Sequence, residues 1–291
     1  MILENVIKKG SKALRDEKII SHQLDAQILL SNIMGVTKEF IMINDDRKIS
    51  NEIINKYNIA IRRRLKNEPI AYITGKKEFW SETFEVNHST LIPRPETELL
   101  VYEVIKLFKN KSINVLDIGS GSGCILLSIL KELTNSVGIG IDISKKAVQT
   151  SIFNAKKMNL SKRASFKICD ISKFFLGKYD LIVSNPPYIS SKDIKKLSKD
   201  IINYEPLSAL NGGIDGLDLT KKVIYKSSKL LKKSGIFALE IGNRQYFKVS
   251  HILKKNGFGE LGKVYDYNDN VRCIISTKWN YYLIYFDKWK L

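Results

Sequence analysis

From about residue 95 onward, short apolar runs of buried-strand type alternate with segments of helical periodicity, and this alternation leaves very few architectures open to the chain. The runs are Ile113-Asn114-Val115-Leu116-Asp117, Val137-Gly138-Ile139-Gly140-Ile141-Asp142, Ser165-Phe166-Lys167-Ile168-Cys169, Leu181-Ile182-Val183 and Ile236-Phe237-Ala238-Leu239-Glu240-Ile241. Between them lie helical patterns such as Leu219, Val223, Ser227, Leu230 and Leu231, expected to stop at Ser234-Gly235. Strands that alternate with helices build a mostly parallel α/β sheet covered on both faces. Such a sheet binds ligands beyond the carboxyl ends of its strands, near the point where strand order reverses.

The chain before residue 95 reads differently. Ser21 is expected to cap a helix carrying Leu24, Ile28 and Leu29, which Gly35 stops; Ile53, Ile54, Tyr57, Ile61 and Leu65 mark a second helix. From Pro69 the pattern changes to Ala71-Tyr72-Ile73-Thr74-Gly75, then Phe79-Trp80 and Phe84-Glu85-Val86, rich in β-formers. The expected division is therefore a helical bundle over residues 1–70, an extended or β-hairpin linker over 71–94, and an α/β domain over 95–291. No repeat or low-complexity tract interrupts it.

Asp117-Ile118-Gly119-Ser120-Gly121-Ser122-Gly123 follows the first strand and opens a helix. Glycines there permit a tight turn and let a ligand lie against the backbone, as in a dinucleotide site. The spacing is Gly-x-Gly-x-Gly, however, and a carboxylate at Asp117 repels a pyrophosphate while it can hold an ammonium group. Asp142 ends the next strand, where an acid can accept ribose hydroxyls. Ribose plus ammonium without phosphate describes S-adenosylmethionine better than NAD. Asp170 ends the third strand and Asn185 the fourth, so four successive strand ends carry a polar group at the ligand-binding edge.

Asn185-Pro186-Pro187-Tyr188 fits the methylation of a planar amide or amine. Such a nitrogen is a poor nucleophile, and no ordinary base deprotonates it at neutral pH. An Asn oxygen and the carbonyl of Pro186 can each accept one N–H of an NH2 group and so aim its lone pair. The Tyr188 ring can close over the planar group and meet the charge that appears on nitrogen. The same four residues also make a Pro-Pro turn that merely ends a strand. Glycine loop and tetrad together leave two rivals: a DNA adenine methyltransferase working on an extruded base, and a non-catalytic cofactor-binding module. The chain has no obvious second large domain to read base edges, so specific DNA binding is not expected.

The chain resembles the HemK/PrmC-type release-factor glutamine methyltransferases, which are class I S-adenosylmethionine-dependent enzymes. The resemblance runs over nearly its whole length. It includes Leu24-Asp25-Ala26, Pro69 to Gly75 with Glu78-Phe79-Trp80, Leu91-Ile92-Pro93-Arg94-Pro95-Glu96-Thr97-Glu98, the glycine loop, Asn185 to Tyr188, Glu205-Pro206, and Gly212-Gly213-Ile214-Asp215-Gly216-Leu217. It implies a Rossmann-like seven-stranded sheet whose last strand is antiparallel, and N5-methylation of the glutamine in the Gly-Gly-Gln loop of class I peptide-chain release factors, leaving S-adenosylhomocysteine. It further implies that Gly119, Gly121 and Gly123 lie against the methionine part of the cofactor, with Ser120 and Ser122 between them, and that Asp142 takes the ribose. Asn185 and the Pro186 carbonyl hold the amide, and Pro187 and Tyr188 shape its slot. Ile171 stands where the family often has an aromatic residue near adenine. Two compatible readings are open for Arg94 to Glu98: Arg94 and Glu96 line the entrance and orient the cofactor or the incoming loop, and Pro95-Glu96-Thr97-Glu98 makes a good helix start, with Pro in the first turn and acids at the positive end of the dipole. Asn280 to Leu291, rich in Tyr, Phe and Trp, runs past the usual family end; a packed terminal strand and an accessory contact are both open.

Composition narrows the setting. A chain of 291 residues with 44% hydrophobic content can bury a large core, and no apolar run is long enough for a membrane span. Met1-Ile2-Leu3-Glu4-Asn5 is not signal-like, and Cys124, Cys169 and Cys273 read as buried thiols, so a cytoplasmic, monomeric protein is expected. Three scattered histidines lack metal-ligand spacing, and no metal site is expected. The formal charge of +18 invites a polyanionic partner, yet lysines are spread along the whole chain and base composition alone can produce them.

Overall fold

A computed structural model describes residues 1–278; the aromatic stretch from Asn280 to Leu291 lies outside the described residues. The chain forms two compact units, one of residues 1–76 with 198–204 and one of residues 77–197 with the remainder.

The first unit is helical: α1 (Leu3–Asp16), α2 (His22–Met34), α3 (Lys38–Ile43), α4 (Asn51–Leu65) and the single turn α5 (Ile70–Thr74). Its core gathers Leu3, Val6, Leu14, Leu29, Leu30, Ile41, Tyr57 and Ile61. Burying each such side chain contributes about 1.5–3 kcal/mol. Gly10 is required where α1 meets α4, since a Cβ there would stand 2.2 Å from the Tyr57 hydroxyl. Asp25 of the Leu24-Asp25-Ala26 motif is buried and receives the Arg64 Nε at 2.7 Å, an ion pair within the bundle. Gly35 stops α2 in the left-handed region at φ 67°, its neighbour Val36 donating back to the Ser31 carbonyl. Two readings fail here. Ser21 occupies the N-cap position of α2 without a side-chain cap bond. Ala71 to Thr74, expected to be extended, are helical between Pro69 at the N-cap and Gly75 at φ 75°.

The second unit opens on a two-stranded hairpin of β1 (Lys76–Phe79, its first residue the last of the helical unit's first segment) and β2 (Glu82–Glu85), whose turn residues Trp80 and Ser81 both have positive φ, 52° and 57°. Then come α6 (Thr97–Phe108), β3 (Asn114–Ile118), α7 (Cys124–Glu132), β4 (Val137–Asp142), α8 (Lys145–Lys157), β5 (Ala164–Ile168), β6 (Tyr179–Ser184) and α9 (Ser191–Ile194). After α10 (Lys199–Tyr204), which belongs to the helical unit, follow α11 (Asp218–Leu230), β7 (Leu231–Glu240), α12 (Tyr246–Lys255), β8 (Phe258–Tyr265) and β9 (Val271–Lys278). The helix expected to stop at Ser234-Gly235 ends at Leu230, because Leu231 already pairs with Tyr179 across β6 and β7.

The seven strands lie in the order β5-β4-β3-β6-β7-β9-β8. Among the described residues β9 is the strand reversed in direction, pairing antiparallel with both β7 and β8. Alternate residues face opposite sides. Val115, Leu181, Val183 and Ala238 meet α6, α7 and α8 on one face; Leu116, Ile182, Phe237 and Leu239 meet α11 and α12 on the other. The chain moves outward from β3 through β4 to β5 and returns at β6, so strand order reverses between β3 and β6. That reversal brings the glycine loop beside Asn185.

Candidate active site

Beyond the carboxyl ends of β3, β4 and β6 lies a cavity of about 350 Å³, lined by Gly119, Ser120, Gly121, Ser122 and Asp142 together with Asn185, Pro186 and Pro187. The glycine loop folds back on β4: the amides of Gly119 and Ser120 both donate to the Ile141 carbonyl, at 2.8 and 3.0 Å. Gly119 and Gly121 have φ of 79° and 54°, and a Cβ on either would meet no protein atom within 4 Å, as expected of residues whose free side faces the cavity. Asp142 braces the loop by accepting from the Gly121 amide at 2.9 Å with one oxygen and from the Ser144 amide at 2.8 Å with the other. Each carboxylate oxygen keeps a second acceptor site for a ribose hydroxyl.

Several expected residues sit differently. Gly123, at φ 81°, is not on the cavity wall; a Cβ there would press on Phe166 and Ser151 at 3.0 Å, so this glycine serves the packing of loop against sheet. Asp117 is also off the wall, one residue before the end of β3 and fully buried, with no partner at full hydrogen-bond geometry among the described residues and only a weak opposing influence from the Leu126 backbone. Burial, and then the charge of Asp142, push its carboxyl up to about 7. Asp170 and Ile171 both line the cavity; Asp170 lies two residues beyond β5 and accepts the Ser172 amide at 2.7 Å, which holds its carboxyl below the ordinary range. Tyr188 does not reach this cavity. It lines an adjoining polar groove with Arg272, Gln245 and Gly242, and burial pushes its hydroxyl up.

The tetrad is held from several directions. Ser184 Oγ donates to the Ile118 carbonyl at 2.8 Å, fixing the end of β6 to β3. Asn185 Nδ2 donates to Thr97 Oγ1 at 3.2 Å. Behind Pro187 and Tyr188 packs the loop from Leu210 to Leu217, with the Gly212 amide on the Ile189 carbonyl at 2.9 Å. Gly212 and Gly216 are obligatory at this close approach, since a Cβ would stand 2.6 Å from the Pro187 carbonyl oxygen in the first case and 2.4 Å from that of Tyr188 in the second. Arg94 lines the cavity and is ion-paired to the buried Glu205, which also accepts the Ile92 amide. Glu96 and Glu98 begin α6 without a side-chain cap, and Glu98 accepts the Trp80 amide at 2.8 Å.

Sequence reasoning passed over Thr97 and Lys222 on the cavity wall and the buried Glu240 behind it. Only an acid closing an otherwise apolar strand pointed to Glu240. The donor set fits S-adenosylmethionine. Two glycines leave room for a ligand against the backbone, Asp142 has acceptor sites to spare, and Ser120 and Ser122 on the cavity wall carry buried hydroxyls without a hydrogen-bond partner among the described residues.

The family described as the PrmC N-terminal domain matches residues 5–75, and a methyltransferase-domain family matches residues 109–283. A release factor glutamine methyltransferase of Buchnera aphidicola subsp. Acyrthosiphon pisum is 37% identical over 280 residues, covering 96% of this chain and 100% of that protein. One from Rhodospirillum rubrum is 36% identical over 218 residues, 75% of this chain and 67% of the relative. Among solved structures, a methyltransferase from Pyrococcus furiosus shares the fold at a TM-score of 0.51 and 17% identity, covering 67% of this chain and 88% of that one. Among the described residues no helix is long and apolar enough to cross a membrane. With most of its length matched at this identity, the chain belongs to the release factor glutamine methyltransferase family.

Proposed function

We propose that this chain methylates the side-chain amide nitrogen of the glutamine in the Gly-Gly-Gln loop of class I peptide-chain release factors, in the cytoplasm and as a monomer. S-adenosylmethionine, when bound, supplies the methyl group from a sulfonium centre. The observation that carries the reading is that one cavity is shared by Gly119, Gly121 and Asp142 and by Asn185, Pro186 and Pro187. A donor and an acceptor nitrogen are thereby held side by side.

Asn185 Oδ1 and the Pro186 carbonyl accept the two N–H bonds of the amide and turn its lone pair toward the cofactor side. Orientation of this kind is worth up to about 7–11 kcal/mol when reactants sit near attack geometry. No strong base is needed, because the nitrogen becomes acidic once methylated and releases its proton afterwards. Pro187, backed by Gly212, keeps the Pro186 carbonyl from turning away. The helical unit docks the body of the release factor, and DNA is not a substrate.

Mass spectrometry of a class I release factor incubated with this protein and S-adenosylmethionine tests the reading directly. The expected result is one added methyl on the intact factor and none on a variant whose Gly-Gly-Gln glutamine is replaced by alanine. No methyl on either, with cofactor binding shown by calorimetry, would overturn it.

A further inference from the structure

Asn185 works as an acceptor only with its side-chain oxygen toward the cavity, and an asparagine amide has no preference of its own between oxygen and nitrogen. Its neighbours decide. Nδ2 donates to Thr97 Oγ1 at 3.2 Å. Thr97, the first residue of α6, is only 2% exposed, and a hydroxyl that accepts one hydrogen still has its own to donate. Glu240 ends β7 and is as deeply buried, with one carboxyl oxygen lacking any partner. In the parallel pairing of β6 with β7, Ser184 stands opposite Leu239, which makes Asn185 and Glu240 the next residues on adjacent strands. The Thr97 and Asn185 side chains both bear on this carboxyl and favour its charged form. The other ionisable groups that act on it are Arg272 and Cys273 on β9, Glu96 before α6, Tyr188 after β6 and Cys124 at the head of α7.

We infer that Thr97 and Glu240 are positioning residues for the methyl-acceptor site: a hydrogen-bonded chain from Asn185 Nδ2 through the Thr97 hydroxyl to the Glu240 carboxylate keeps Asn185 Oδ1 facing the substrate amide. The inference rests on the amide-methylation reading above. An ionised carboxylate only accepts, so the chain has a single polarity. A protonated one can also donate, and the Asn185 amide can then reverse and present Nδ2 to a substrate that has no use for another donor. Burial is the main influence that raises the Glu240 carboxyl, to about 7, against the lowering influence of Thr97 and the charge of Arg272. Turnover should therefore rise with pH through this range as the polarity becomes fixed.

Glu240→Gln keeps the shape and removes the acceptor-only character. Its kcat for release-factor methylation should fall about 10- to 100-fold, KM and cofactor affinity should stay within about 2-fold, and the acidic limb of the pH profile should vanish. Thr97→Val should lose a similar factor, and Thr97→Ser should recover most of it. An activity-independent reading comes from the NMR signals of the Asn185 side-chain amide, assigned by their loss in Asn185→Ala. In the parent protein they should titrate with a midpoint about that of Glu240. Parent-like kcat and pH profile in Glu240→Gln, or Asn185 amide signals that ignore pH, would overturn the inference. Should Glu240→Gln fail to fold, the Thr97 pair and the parent titration decide. A parent that binds cofactor and methylates no release factor refutes the proposed substrate, while the Asn185 titration still tests the positioning chain.

Discussion

Two loops leave adjacent strands of one sheet and line one cavity, and they are held in opposite ways. The loop after β3 is built on backbone freedom: three glycines at positive φ, amides folded back on Ile141, and hydroxyls on Ser120 and Ser122 without partners among the described residues. The loop after β6 is built on constraint. Two prolines remove donors and fix φ, Ser184 ties its root to β3, and Gly212 and Gly216 bring a second loop hard against its back. A cofactor recognised through close backbone approach needs room; an amide that must be aimed needs walls that do not give.

The contrast is broken most directly at Asn185. Asn185→Ala should lower turnover about 10²- to 10³-fold, by analogy with the loss of one preorganised hydrogen-bonding group in other active sites, while calorimetry finds much of the cofactor affinity intact. Equal losses of both would mean that the two edges are not separate. Next in size is Gly212→Ala, whose Cβ would stand 2.6 Å from the carbonyl oxygens of Pro187 and Gly216, both backbone atoms. Moving the wall by a fraction of an ångström should cost about 10- to 100-fold in turnover, again with cofactor binding spared.

Substitutions in the other loop should do the reverse. Gly121→Ala adds a methyl group that meets no protein atom at φ 54°, so the protein should lose about 1–2 kcal/mol to backbone strain and cofactor affinity should fall about 10-fold. Gly123→Ala pushes instead on Phe166 and Ser151. It should cost more in thermal stability and less in affinity, as thermal melts and cofactor titration can separate.

The difference between the loops also explains what the sequence disclosed. The strands of the parallel sheet were legible because both their faces are buried, so β3, β4 and β6 are nearly unbroken apolar runs whose ends are found within about two residues. The glycine loop was legible because its function resides in consecutive residues. Even so, Gly123 shares the spacing of Gly119 and Gly121 while facing the core, and periodicity cannot tell a cavity from a packed neighbour. The stretch from Ile70 to Thr74 misled through its β-formers, although Pro69 and Gly75 punctuate a helix. The acceptor side is assembled across long distances: Thr97 reaches Asn185 over 88 positions, and Glu240 and Gly212 arrive from further elements. No local pattern marks them.

The smallest expected effect compares the carboxyls buried behind each loop, Asp117 and Glu240, both raised by burial to about 7. A folded-state value above the unfolded one means that the native protein holds a proton the unfolded chain has released. That stability is complete at low pH and is lost as pH rises through the folded value. Between about pH 4 and pH 7 each group should therefore cost the cofactor-free protein about 1 kcal/mol per pH unit, levelling off above the folded value of about 7 and read as a slope of unfolding free energy that Asp117→Asn and Glu240→Gln each reduce. Saturating S-adenosylmethionine separates the two. If the ligand ammonium approaches Asp117, its positive charge stabilises that carboxylate and moves the loss to lower pH, whereas the Glu240 contribution stays where it was. S-adenosylhomocysteine, which keeps the ammonium and lacks the sulfonium, should act on Asp117 in the same way. A slope that shifts with S-adenosylmethionine but not with S-adenosylhomocysteine would assign the interaction to the sulfonium instead, and would turn Asp117 from an anchor of the cofactor's tail into a partner of its reacting centre.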